Sequence, residues 1–181
     1  HCNDLSIQQA LKDAFYNLGQ TCVPPLLDMI DSDSQHLTWI INLLGEIGDK
    51  KVIDPLLELL NNHPQANIRV NAAKSLGNFL DSSHVFNGLV SALQDESCHV
   101  RAQIVKLLGK VDNPQILSYF YHMLDDSSGI VRSNAAQALL QSGENGIKYL
   151  ILAAEEEEQP EVISCLEQVD TVQLINLVKE G

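Results

Sequence analysis

The chain has 181 residues, 45% of them apolar and only 5% aromatic, so it can bury a sizeable core filled by Leu, Ile, Val and Ala. That mix suits closely packed helices better than a β-sandwich, which draws on aromatic and β-branched residues. Eleven Lys and Arg stand against 24 Asp and Glu, a formal net charge of −13, which argues against whole-surface nucleic-acid binding because phosphate contacts need clustered cations.

In chain order, a first helical pattern covers residues 10–19. A shorter apolar helix follows at 23–30, with Pro24 and Pro25 in a first turn where a missing N–H costs little. Asp31-Ser32-Asp33-Ser34 then offers capping oxygens to a helix at 36–45, and the GEIGD stretch at 45–49 closes it. From there a short helix and a longer one alternate. The short elements, called A, fall at 52–60, 85–93, 116–124 and 147–154. The longer elements, called B, read IRVNAAKSLG at 68–77, VRAQIVKLLG at 100–109 and VRSNAAQALL at 131–140. Their arginines, Arg69, Arg101 and Arg132, recur 32 and 31 residues apart, and a fixed period of this size marks a repeat architecture. In the second of these, Val100, Ile104, Leu107 and Leu108 share one helical face. Asp125-Asp126-Ser127-Ser128 is a further capping turn. After the acid run Glu155 to Glu158, Pro160 opens a short helix to residue 169, and 171–179 reads as a last A.

The pattern opens on a B without its A and ends on an A without its B. A stack of repeats needs polar caps, so the expectation is one repeat domain, 1–181, cut from a longer chain. Cys2, Cys22, Cys98 and Cys165 form no C-x-x-C pair, which predicts reduced thiols and a cytoplasmic location. No apolar run approaches the ~18 residues that span a bilayer, and no signal peptide is visible.

The stretch GEIGDKKVIDPLLELL followed by IRVNAAKSLG resembles the HEAT repeat, in the short form also found in phycobilin lyases. The resemblance runs over residues 5–180 and is strongest over 45–141. It implies an all-α fold, a right-handed α-solenoid of about five to six antiparallel helix pairs. It also implies a ladder between an Asp of the A–B turn and an Arg early in helix B. Asp95 with Arg101 and Asp126 with Arg132 fit it, whereas His63 stands at the Asp position ahead of Arg69.

In such stacks helix B commonly lines the concave side. Alignment on Gly45, Gly77 and Gly109, with Leu140 in the same place, then gives three columns. They are Trp39, Asn71, Gln103 and Asn134; Asn42, Lys74, Lys106 and Gln137; and Glu46, Asn78, Lys110 and Gln141. Amides donate and accept at once and suit polar partners. Three lysines give a positive strip in an acidic protein. Trp39 is the lone tryptophan and a candidate contact anchor. The candidate partner-binding residues are therefore Trp39, Asn71, Lys74, Asn78, Gln103, Lys106, Lys110, Asn134 and Gln137. An ordinary solvated helix face carries the same residue types.

Motifs for phosphate loops, dinucleotide folds, zinc helices and hydrolase elbows are absent. HEAT-like iron hydroxylases carry repeated His-Glu pairs, and here no His is followed by Glu. Cys98 beside His99 at a helix start is a conceivable reactive thiol, though a small buried hydrophobe is the plainer reading. The acid run lacks the glycine turn and ligand spacing of a calcium loop. The expectation is a non-enzymatic scaffold or regulatory module without cofactor or metal. It would hold a protein segment, another domain of its parent chain or an anionic ligand, and would not insert into membranes. The alternative is a bilin lyase or isomerase subunit.

Overall fold

The computed structural model describes residues 10, 13–15, 17–30, 36–156 and 159–180. Among these the chain is all-α, without strands, and has the α-solenoid architecture of successive helix pairs. Contacts divide it into two compact units, residues 1–90 and 91–181.

In the first unit a 3-10 turn at Gly19–Cys22 leads into α1 (Val23–Ile30). It is followed by α2 (Leu37–Ile47), α3 (Ile53–Asn62), α4 (Ala66–Leu76) and α5 (Ser83–Ser91). α1 packs on α2, α2 on α4, and α3 on α4. Helical spacing decides which residues meet: α2 buries Leu37, Ile40, Ile41 and Leu44, and α4 buries Ile68, Ala72, Ala73 and Leu76. The turn Asp31 to Ser34 lies outside the described residues, as do positions 11, 12 and 16 of the 10–19 pattern.

α2 runs two residues past Gly45, and its C-cap is Gly48 at φ 75°, a left-handed conformation that glycine adopts without a Cβ penalty. Asp49 then accepts the Lys51 N–H at 2.9 Å and starts a 3-10 turn at Lys50–Val52. Gly45 has a packing role instead. A Cβ there would fall 2.6 Å from the Ser75 Cβ, so α2 and α4 approach too closely for any other residue. The Ser75 hydroxyl donates to the Ile41 carbonyl at 3.0 Å, and the Asn78 amide donates to the Gly45 carbonyl at 3.1 Å, fixing the two helices at that crossing.

In the second unit α6 (Cys98–Leu108), α7 (Leu117–Met123), α9 (Gly143–Glu156) and α10 (Pro160–Leu166) all pack on α8 (Gly129–Gln141). Val100, Ile104, Leu107 and Leu108 are all buried, as their spacing requires. α8 presents the small residues Ala135, Ala136 and Ala138 to its neighbours. α11 (Thr171–Glu180) turns Leu174 and Leu177 onto Ile147 and Val169, and leaves Val172, Ile175 and Val178 exposed on its other side.

The repeated arginines form one device. Each donates from Nη1 to the carbonyl six residues back: Arg69 to His63 at 2.9 Å, Arg101 to Asp95 at 2.8 Å, Arg132 to Asp126 at 2.9 Å. Within each turn a side chain accepts the N–H two residues on. Asp95 takes it from Ser97 at 2.7 Å and Asp126 from Ser128 at 2.8 Å. These acids brace the turn rather than cap the helix directly. His63 performs the same task through Nδ1, accepting from Gln65 at 3.2 Å, so replacement of Asp by His leaves this local part of the ladder intact. Between repeats, Arg101 makes a bidentate pair with Asp126 at 2.7 and 2.8 Å. Arg132 reaches Glu161 at 2.9 Å, a partner the sequence alignment did not single out.

Candidate functional site

The two B helices of the second unit, α6 and α8, flank a cleft of about 360 Å³. Gln103, Lys106, Lys110, Asn134 and Gln137, five of the nine residues selected from the sequence, line it, and Gln141 joins them. The local reason on α8 is helical spacing. Gln137 and Gln141, four apart on α8, stand one turn apart on one face, while Lys106 lies on α6 and Lys110 in the turn that follows it, its N–H donating to the Leu107 carbonyl at 3.2 Å. The helices run in the same direction, since Asn134 meets Ala102 midway along them and Ala138, further along α8, meets Gly109 at the C-cap of α6.

The side chains of the cleft differ in availability. Asn134 donates to the Ala102 carbonyl at 3.2 Å, which binds α8 to α6 and leaves only its oxygen for a ligand. Lys106 and Lys110 are exposed, and among the described residues neither is held in an ion pair. Gln103 is half-buried; Gln137 and Gln141 are exposed. A second cleft of about 450 Å³ shares Gly109, Lys110 and Gln141 with the first and continues to Asp112, Asn113 and Asn145. The sequence columns stop short of this extension, because Asp112 and Asn113 lie in the loop after α6 and Asn145 in the first turn of α9, outside the aligned B helices.

The other four selected residues belong to the first unit. Trp39 is half-buried and sets its ring against Phe15, with centroids 5.8 Å apart and planes at 64°. Asn71 donates to the Asn67 carbonyl of its own helix at 2.7 Å, and Asn78 is occupied by the Gly45 carbonyl. Lys74 is exposed. In the same unit Asn42 is half-buried and Glu46 exposed.

Elsewhere Tyr121 donates to Glu156 at 2.5 Å beside a cavity of about 190 Å³, and this bond pushes its phenol up to about 12. Cys98 begins α6 half-buried, and Cys22, Cys98 and Cys165 are free thiols; Cys2 lies outside the described residues. Burial pushes the Cys165 thiol up. Glu155 and Glu156 are the exposed end of α9, while Glu157 and Glu158 lie outside the described residues. Among the described residues no group of three His, Cys, Asp or Glu is placed to hold a metal, and no helix is long and apolar enough to cross a membrane.

Comparison with known proteins adds two findings. The bilin biosynthesis protein PecF of Mastigocladus laminosus is 36% identical over 83 residues, covering 42% of this chain and 39% of the relative. The match thus spans about two fifths of that protein's length. It overturns the expectation of a non-enzymatic chain, since a similar protein works in a biosynthesis. A motif search detects reacting groups clustered in sequence, whereas groups gathered from separate helices leave no such signature. The second finding is that residues 23–85 and 86–169, more than half of the length, match HEAT repeats, and the chain belongs to the HEAT-repeat family.

Proposed function

We propose that this chain is a holding module whose α6–α8 cleft binds an anionic group of a partner segment or ligand. One observation carries the reading: two lysines without ion-pair partners among the described residues share a cleft with a row of amides in a protein of formal net charge −13. Ammonium groups attract carboxylate or phosphate, and the surrounding amides satisfy whatever polar groups accompany it. Lys74, with Asn71, Asn78 and Trp39, is an accessory surface of the first unit in this reading. A HEAT module of this kind serves as a scaffold or as a regulatory part of a larger assembly.

A second reading is favoured by the bilin biosynthesis relative. A bilin is a linear tetrapyrrole with carboxylate side chains, and the lysine pair suits those carboxylates. The module would then take part in a bilin lyase or isomerase.

One comparison tests both. The chain and its K106E/K110E variant, checked for equal helicity, are used for capture from source-cell lysate and titrated with a bilin. The expected result is material retained, or a bilin absorption band shifted, by the wild type alone. Equal retention and equal spectra with the variant would remove the cleft from the function.

A further inference from the structure

The cavity beside Tyr121 shares no residue with the α6–α8 cleft. Its volume of about 190 Å³ falls below the range of about 300–1,000 Å³ usual for small-molecule sites and suits the end of one side chain. Tyr121 of α7, Asp125 of the turn that follows, Ala153 and Glu156 of α9, and Gln159, the N-cap of α10, line it. Tyr149, Ala153 and Glu156 share one face of α9 at helical spacing. The Tyr149 ring backs that of Tyr121, with centroids 5.6 Å apart. Hydrogen bonds fix both carboxylates in place. The Tyr121 hydroxyl donates to Glu156 Oε2 at 2.5 Å, and Gln159 Nε2 donates to Asp125 Oδ1 at 3.1 Å.

Three acceptors remain. Each carboxylate keeps one oxygen that no described residue holds, and neither is paired with Lys, Arg or His among the described residues. Gln159 Oε1 is buried and meets no donor among them. A buried acceptor without a donor is costly, so this oxygen calls for a donor from outside. We propose that the cavity takes the guanidinium of an arginine carried by a basic partner segment. A guanidinium presents five N–H donors in a rigid plane, which can serve acceptors spread over three side chains, and it stacks on a tyrosine face. A lysine ammonium gathers three donors at one point and holds its water more strongly. The formal net charge of −13, with Glu155 exposed next to Glu156, draws a basic segment to this side of the chain. The site stands or falls separately from the anion-holding cleft, since none of the cleft residues takes part.

The test follows amide resonances of the isotope-labelled full chain by NMR while the peptide Gly-Ser-Gly-Arg-Gly-Ser-Gly is added. The expected result is saturable shifts confined to Ala153, Glu156, Gln159 and their neighbours. Asp125→Asn and Glu156→Gln, checked for equal helicity, should each weaken binding about tenfold, the loss of one charge-assisted contact. Glu58→Gln removes the same charge from an exposed position of the first unit and should change nothing. The same peptide with citrulline, neutral and of equal shape, should give no shift, and the lysine peptide should bind more weakly. Shifts scattered over the surface, citrulline binding as well as arginine, a Glu58→Gln loss equal to the other two, or no saturable shift overturns the proposal. A lysine peptide as tight as the arginine one overturns the guanidinium assignment. Free arginine amide binding where the peptide does not overturns the partner segment in favour of a small molecule.

Discussion

Arg101 shows how one residue of the repeat holds two turns. Its guanidinium closes its own A–B turn through the Asp95 carbonyl and grips the next through the Asp126 carboxylate. Asp126 is nearly buried, with its side chain 6% exposed, and the hydrogen bond from Arg101 holds its carboxyl below the usual carboxylate range. A carboxyl depressed in the folded state adds stability that is complete above its unfolded pKa, about 3.9, and is lost as pH falls through the lower folded value. Acid unfolding followed by circular dichroism should therefore show a slope below about pH 4 that Asp126→Asn flattens. An unchanged slope in that variant would assign the acid sensitivity to other carboxylates. His63 carries the complementary lesson. A residue that breaks the Asp pattern still supplies an acceptor to Gln65, so the pattern is one of hydrogen-bond roles rather than residue names.

Between elements, the decisive contacts are small residues where B helices cross. Gly45 against Ser75 and Gly109 against Ala138 let α2 meet α4 and α6 meet α8 at near backbone distance. Alanine normally favours a helix over glycine by about 1 kcal/mol. At residue 45 the order should invert, because the added methyl has nowhere to go. Gly45→Ala is expected to destabilise by about 1–3 kcal/mol in urea unfolding, the range of an overpacked core. Ser75→Gly in the same chain should recover part of that loss, although it also removes the Ser75 bond to Ile41. A stabilised Gly45→Ala would mean the helices separate freely there. The same closeness explains why Asn78 and Asn134 serve packing: each is within reach of a neighbouring helix carbonyl and satisfies it.

At the scale of the whole chain, each repeat depends on its neighbours, so disturbance should stay local. Leu177 is the buried anchor of α11 on Ile147 and Val169. Leu177→Ala should raise amide hydrogen exchange in α9, α10 and α11 and leave α2 and α4 unchanged. Exchange rising equally in α2 would argue for one cooperative core instead. Much of this organisation was legible beforehand. The 32- and 31-residue arginine spacing gave the repeat, and the apolar positions of α6 gave its buried face, because helical period and burial are properties of sequence order. Most helix ends fell within a few residues of expectation, although α2 outran Gly45 because helix capping needed the left-handed Gly48. The candidate surface was less legible. Alignment of columns named Trp39, Asn71, Asn78 and Asn134 beside the lysines, but it could not tell an idle amide from one already bonded to a neighbouring helix. It also missed the continuation to Asp112, Asn113 and Asn145. The sequence by itself determined the repeat, the helices and the faces they bury, since these follow from local periodicity. Tertiary structure alone decided which polar groups remain available and which residues share a cleft, since both depend on distances between helices that no spacing along the chain records.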